Sequence, residues 1–197
     1  MHLPADVREG RGQMTDRELA WEELSTEHIV RDQWIDFRRS VYRYPDGRVF
    51  APFYTYSRPD YAVIVASDEE GRYLCVRQFR QGIRAVTTEC PAGGLERGGT
   101  PETALEAARR ELKEETGYVS DDWRHLLTVP SNATLSDNYV SVFMAENCRR
   151  CCEQSLDETE LLRVVRLSAE EIESLIYSGA FQQAVHVMAW LLSKERR

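Results

Sequence analysis

Residues 91–118 read PAGGLERGGTPETALEAARRELKEETGY, and the segment Arg110-Glu111-Leu112-Lys113-Glu114-Glu115-Thr116-Gly117 within them decides the fold. Glu111, Glu114 and Glu115 stand at relative positions 0, +3 and +4, spacings that put three carboxylates on one face of a helix. Like charges this close repel and destabilise a helix unless something positive sits among them. Hard divalent cations with oxygen ligands, Mg²⁺ above all, meet that need. Thr100 is placed to act as N-cap and Pro101 suits the first helical position. Glu102 then falls in the first turn, where negative charge is favourable. Ala104, Leu105, Ala108 and Leu112 recur at helical spacing and supply a face to bury. Arg110 lies four residues from both Glu106 and Glu114 and can pair with either; Gly117 is placed to end the helix in a left-handed conformation. On the helix alone, a salt-bridged surface helix and a metal site fit equally well.

The loop before the helix separates the two. Pro91-Ala92-Gly93-Gly94 leads from a strand-like run into the acidic helix, and glycines let backbone approach a ligand closely. Strand, loop and helix in this order resemble the Nudix hydrolase family. That family's pattern is Gly, five residues, Glu, seven residues, then Arg-Glu-aliphatic-any-Glu-Glu-any-Gly-aliphatic. Here Arg110 to Gly117 matches the second half in full and Glu102 stands in register with Arg110. The chain departs from the pattern twice: eight residues separate Gly93 from Glu102, and Tyr118 takes the last aliphatic position. The resemblance implies an α+β fold, an α/β/α sandwich with a mixed sheet between helices and an N-terminal antiparallel strand region. It also implies Mg²⁺ or Mn²⁺ held by Glu111, Glu115 and the Ala92 carbonyl, with Glu114 near and Arg110 orienting a glutamate. In similar enzymes a carboxylate of a later loop acts as general base. Glu160 fits that place by its distance from the following strand, Glu158 is the alternative, and a solvated acidic loop is the plain reading of both.

Within the family, the ADP-ribose and nucleotide-sugar pyrophosphatases are the nearest group. Val76-Arg77-Gln78-Phe79-Arg80-Gln81-Gly82 resembles their corresponding strand, where the second arginine, here Arg80, approaches the diphosphate. A guanidinium fork suits phosphate. Arg77 lies three positions away, an odd offset that turns it to the other face of a regular strand. Glu89 either helps hold the substrate or metal site, as in the family, or forms a strand-end ion pair. The loop 130–137 has the proline of that group, but Ser131-Asn132-Ala133 replaces its usual Ser-Pro-Gly. His125 is the one histidine near the motif and reads as structural or catalytic. The implied reaction is hydrolysis of the pyrophosphate bond of a nucleoside diphosphate joined to a sugar, with ADP-ribose giving AMP and ribose 5-phosphate. Another nucleotide sugar or dinucleotide such as GDP-mannose, or a nucleotide-binding module without catalysis, are the rivals.

Upstream, 1–17 is polar and charged and reads as a disordered tail, 18–58 as a strand region for dimerisation, and 59–197 as the Nudix domain. Trp34, Ile35, Phe37, Val41, Tyr42 and Tyr44 are strand formers, and Pro45-Asp46-Gly47 is a turn between extended runs. In the pyrophosphatases this region resembles, it builds a homodimer whose aromatics stack on the substrate base. Trp21 and Trp34 are the candidates, against a core or interface tryptophan. Downstream, strands are expected over 61–66, 73–76, 86–90, 123–129, 139–144 and 161–167, with a polar loop over 148–160. A capping box at Ser168 and Glu171 opens a helix to about Tyr177. Phe181, Val185, Met188 and Leu192 make a later apolar stripe.

Composition agrees with one domain plus appendages, since 197 residues suffice for a sizeable core. The net charge of −8 argues against nucleic acid or an anionic membrane as partner. It leaves an anionic small substrate open, because a bound cation inverts the local charge. No apolar run reaches the length of a membrane span, and MHLPADVREGRGQMTDR lacks a signal-peptide core; a cytoplasmic location is the expectation. Five cysteines without such a signal read as free thiols, Cys75 and Cys90 in the core. Cys148-x-x-Cys151-Cys152 has a zinc-like spacing but no second ligand pair.

Overall fold

The computed structural model describes residues 14–96 and 100–195. Residues 1–13 of the N-terminal stretch and 97–99 of the lengthened loop lie outside the described residues. The chain divides into two compact units, one drawn from Met1–Arg58 and Ala133–Asp137, the other from Pro59–Asn132 and Asn138–Arg197.

In the first unit, Thr15 caps a short helix α1 (Asp16–Leu19) through a capping box with Glu18. Three antiparallel strands follow, β1 (Glu22–Arg31), β2 (Asp36–Arg43) and β3 (Val49–Ser57), in the order β1-β2-β3. The turn after Tyr44 closes on a Gly47 N–H to Tyr44 C=O bond of 2.9 Å. Trp21 packs among Tyr44, Phe53 and Tyr42, with ring centroids 4.2, 5.4 and 6.3 Å away. Asp137 joins the unit by accepting from Arg38 at 3.0 Å and Ser57 at 2.5 Å. Every residue of β1 is exposed, including Leu24, Ile29 and Val30.

The second unit is a mixed sheet covered on both faces. Its strands are β4 (Tyr61–Asp68), β5 (Tyr73–Arg80), β6 (Ala85–Glu89), β7 (Ala92–Gly94), β8 (Tyr118–Val119), β9 (Asp122–Pro130), β10 (Tyr139–Arg150) and β11 (Leu162–Leu167). The main path runs β11-β5-β4-β10-β8, with β6 on β5, β7 on β4 and β9 on β10; β4 and β10 are parallel. Side chains alternate across a strand, so the apolar run in β4 serves two cores. Ala62, Ile64 and Ala66 pack with Ala108 and Leu112 of α2 (Ala104–Thr116). Val63 and Val65 pack with Ile172 of α3 (Ala169–Tyr177), and with Ala189 and Trp190 of α4 (Ala184–Glu195). This is the α/β/α sandwich expected of the sequence. Among the described residues, no helix is long and apolar enough to cross a membrane.

Several local expectations shift. The α2 cap is Thr103, not Thr100: its hydroxyl accepts from Glu106 N–H, and the Glu106 carboxylate accepts from Thr103 N–H at 2.8 Å. That reciprocal box outcompetes the Thr100-Pro101 signal and leaves Glu102 ahead of the helix. β10 runs on to Arg150, past the start of the loop expected from Cys148, because Cys148 stays paired with Asp68 of β4 beyond a register shift and Arg149 and Arg150 pair with Val119 and Tyr118 of β8. In α4 the buried residues are His186, Ala189, Trp190 and Ser193, with Val185, Met188 and Leu192 only partly covered. A helix apolar around most of its circumference does not mark its buried face by periodicity.

Candidate active site

Helix α2 carries the carboxylates, and the loop from β7 lies against it. Gly93 has no side chain, and a Cβ there would collide with the Glu111 carboxylate; the glycine therefore makes the cradle in which Glu111 rests. Glu111 Oε1 accepts from Arg110 Nη1 at 2.8 Å. One turn on, Glu115 is 2% exposed and its Oε2 accepts from Ala92 N–H at 3.0 Å. That bond ties the backbone of Ala92 to Glu115. Gly117, at φ 76°, ends the helix as expected.

Arg110 organises the acidic cluster. Its guanidinium donates to Glu102 Oε1 at 2.9 Å, to Glu114 Oε2 at 3.1 Å and to the Gly94 carbonyl at 2.9 Å, besides Glu111. Glu106, the other partner open by spacing, is occupied by the cap. Glu102 thus acts as an anchor for Arg110, whose hydrogen bond holds its carboxyl below the ordinary value.

The two inner carboxylates both shift the other way from Glu102. Burial pushes Glu111 up, with Arg110 opposing and Glu160 and Glu114 adding to the rise. Burial pushes Glu115 well up, the Ala92 N–H opposes, and the charges of Glu111 and Glu160 push it further. Glu160, in the turn before β11, is therefore close enough to repel both. Its carboxylate also accepts from Asp157 N–H at 3.1 Å. Glu158 is exposed and makes no ion pair among the described residues.

The arginines separate as the odd offset demands. Glu89 is 0% exposed and is gripped by Arg80, through Nε at 2.9 and 3.1 Å and Nη2 at 2.5 Å, and by the Thr87 hydroxyl. Burial alone would raise the Glu89 carboxyl, but these bonds outweigh it and hold it below the ordinary range. Arg80 Nη1 keeps no hydrogen bond to a described residue, and its charge is felt at Glu115. Arg77 pairs with Thr88 in the ladder and makes no ion pair with a described residue. His125 is a surface residue bonded to Thr128 at 2.8 Å. Trp21 and Trp34 belong to the first unit; Trp34 is 64% exposed and Trp21 43%.

Sequence reasoning missed several supporting groups. Thr87 completes the grip on Glu89. His186, 4% exposed on α4, accepts the Cys90 N–H through Nδ1 at 3.2 Å and so secures the strand end before Pro91. The capping-box and glycine signals were present in the sequence; nothing in it marked His186.

The donor set fits a hard divalent cation. Two buried carboxylates on adjacent turns, both raised by burial and by repulsion from neighbouring carboxylates, are relieved by positive charge. Among the described residues no three His, Cys, Asp or Glu side chains hold an ion by themselves.

Comparison with known proteins points the same way. The NUDIX domain model matches residues 57–190. The ADP-ribose pyrophosphatase of Bacillus subtilis (strain 168) is 30% identical over 176 residues, covering 87% of this chain and 92% of the relative. The methanol dehydrogenase activator of Bacillus methanolicus is 25% identical over 149 residues, covering 75% and 78%. A crystal structure of an ADP compounds hydrolase superposes with TM-score 0.76 at 22% identity, over 89% of this chain and 92% of that one, and shows the shared fold. The chain belongs to the NUDIX family and is a Nudix hydrolase.

Proposed function

We propose that this Nudix hydrolase cleaves the pyrophosphate bond of a nucleoside diphosphate joined to a sugar, with ADP-ribose as substrate and AMP and ribose 5-phosphate as products. The observation that carries the chemistry is the buried pair Glu111 and Glu115, set against the Ala92-Gly93 backbone with both carboxyls raised by burial. The choice of substrate is supported by the relative named an ADP-ribose pyrophosphatase.

Mg²⁺ or Mn²⁺ would be held by Glu111, Glu115 and the Ala92 carbonyl. When bound it supplies positive charge to the diphosphate oxygens and eases deprotonation of water. Arg110 positions Glu111 and Glu114. Arg80, oriented by Glu89, has Nη1 left to bind a phosphate oxygen, and Arg77 is the second candidate for that role. Glu160 takes the proton from the attacking water, with Glu158 as the alternative; Asp157 N–H binds Glu160 Oε2 and leaves Oε1 for that role. Trp21 and Trp34 are the candidates for stacking on the base. The exposure of Trp34 favours it, since the Trp21 ring already packs on Tyr44. The exposed apolar residues of β1 support a homodimer formed through the first unit.

A substrate panel with Mg²⁺, run in ¹⁸O-water with product identification, tests the reading. ADP-ribose should be turned over fastest, and the label shows which phosphorus is attacked. Faster turnover of GDP-mannose would defeat the substrate; no hydrolysis of any nucleotide would leave a binding module.

A further inference from the structure

Two thiols stand side by side at the end of the acidic helix, where the Cys151 and Cys152 backbone meets Gly117. Cys151 Sγ and Cys152 Sγ are 3.3 Å apart, Cys151 exposed and Cys152 half-buried, whereas Cys75, Cys90 and Cys148 are buried. A disulfide bond is about 2.05 Å long, so each sulfur needs to move by only about 0.6 Å to close the pair. The two Cα atoms, joined by one trans peptide, are held at about 3.8 Å, below the usual disulfide span of about 4.4–6.8 Å. A bond formed under that constraint is readily reduced again, which is the behaviour of a labile disulfide.

The backbone of the same residues terminates α2. Cys151 N–H and Cys152 N–H both donate to the Gly117 carbonyl, at 2.9 and 3.3 Å. Ser155 N–H donates to Glu114 C=O at 2.9 Å, and Gln154 Nε2 donates to Glu115 C=O at 2.6 Å. These bonds satisfy carbonyls that a helix end leaves without partners. Gly117 also lies flat on the Cys152 carbonyl, leaving no room for a Cβ. Residues 151–155 therefore form a strap over the end of the helix that bears Glu111 and Glu115.

We propose that Cys151 and Cys152 are a thiol–disulfide exchange site for small disulfides, and that closing the pair loosens the 151–155 strap from α2. Cys151, the exposed thiol, attacks as the thiolate on one sulfur of the small disulfide. A mixed disulfide forms on Cys151 and one small thiolate leaves and takes up a proton. Cys152 then gives its proton to solvent and attacks Cys151 Sγ, expelling the second small thiolate. Two protein thiols are oxidised to one disulfide, and one small disulfide is reduced to two thiols. The Cys151–Cys152 peptide becomes part of a small ring, and its N–H is one of the two donors to Gly117.

The test is to equilibrate the full chain with graded ratios of oxidised to reduced glutathione, then measure intact mass, peptide maps and amide hydrogen exchange. None of these depends on the substrate assigned above. The expected product is a species lighter by two hydrogens, mapped to the peptide holding Cys151 and Cys152 and reversed by dithiothreitol. Amides of 151–155 should then exchange about fivefold faster or more, the loss of one ordinary backbone hydrogen bond. Cys152→Ser should stop at a stable glutathione adduct on Cys151; its fold is retained because the strap bonds use backbone atoms of Cys152. The proposal is overturned if the wild-type chain accumulates the adduct without closing. It is equally overturned if the closed chain exchanges at 151–155 as the reduced chain does.

Discussion

A methyl group added at Gly93 would occupy the space that the Glu111 carboxylate fills, because the new Cβ would fall inside contact distance of both oxygens and of Cδ. The obstacle is the end of a flexible side chain, so the carboxylate moves and the backbone stays. A retreat of about 1 Å in a group that positions reacting atoms costs about 100-fold in rate. The same retreat breaks the 2.8 Å bond from Arg110 to Glu111. A hydrogen bond to a charged group is worth about 1.5–3 kcal/mol, but Arg110 keeps Glu102, Glu114 and the Gly94 carbonyl. The loss therefore sits at the low end, and the stiffer unfolded chain of an alanine variant offsets about 0.4–1 kcal/mol of it. Gly93→Ala should lose about 100-fold in kcat for ADP-ribose while urea denaturation shows destabilisation of about 1 kcal/mol. Gly94→Ala is the control: its Cβ would meet Pro59 Cβ at 3.7 Å and Asp60 O at 3.9 Å, both ordinary contacts. It should leave stability within about 0.5 kcal/mol and turnover nearly unchanged. Full activity in Gly93→Ala, or a loss no larger than its unfolded fraction, would refute the placement of Glu111 in the site.

Three further outcomes follow from the packing. Arg80→Met leaves the buried Glu89 carboxylate with only Thr87, at a cost of about 3–5 kcal/mol for a fully buried pair and about 2 kcal/mol here, since Arg80 is one-third exposed. In the native chain the depressed Glu89 carboxyl contributes stability that is present above its ordinary value of 4.5 and lost as pH falls through the folded value. Without Arg80 the carboxyl rises, so the penalty measured by denaturation should be largest at neutral pH and shrink on acidification; a penalty independent of pH would count against the pair. Burial pushes His186 down to about 4 from an ordinary 6.5, so native stability should be fully present above pH 6.5 and fall between 6.5 and 4 as the unfolded chain takes up the proton. His186→Gln should remove its share of that acid-side slope in denaturation midpoints. Thr103→Ala should cost about 1 kcal/mol in thermal or urea unfolding and Thr100→Ala nearly nothing; the reverse order would move the helix start back to Thr100.

The legible parts of this molecule were those written as spacing. Glu111, Glu114 and Glu115 share a face because their offsets require it, and the apolar run of β4 serves two cores because strand side chains alternate. Rival local signals were harder. Thr100-Pro101 and Thr103-Ala104 both satisfy the rule for a helix start, and only the reciprocal box with Glu106 decides between them; once Glu106 is engaged there, Arg110 turns to Glu102, Glu111 and Glu114. Contacts across distance were not legible. Arg80 meets Glu89 nine residues on because β5 and β6 pair with Val76 opposite Glu89, which puts Arg80, Thr87 and Glu89 on one face. The strap that ends α2 is made by the backbone of Cys151, Cys152 and Ser155 with the side chain of Gln154, and none of these has a residue type that announces such a role. Arg149 and Arg150, read as part of the loop over 148–160, continue β10 because β8 offers them a partner.

The central claim is that the buried carboxylates of α2 carry the hydrolysis. Glu115→Gln tests it most directly, because a neutral isostere removes a charge that burial already disfavours and so should not lower stability. The measurement is the rate of Mg²⁺-dependent ADP-ribose hydrolysis in the variant against the wild-type chain, with urea midpoints taken on the same samples. The expected result is a fall of about 1,000-fold or more, several kcal/mol of charge stabilisation at the transition state, with the midpoint unchanged or raised. Wild-type turnover in a folded Glu115→Gln variant would contradict the claim.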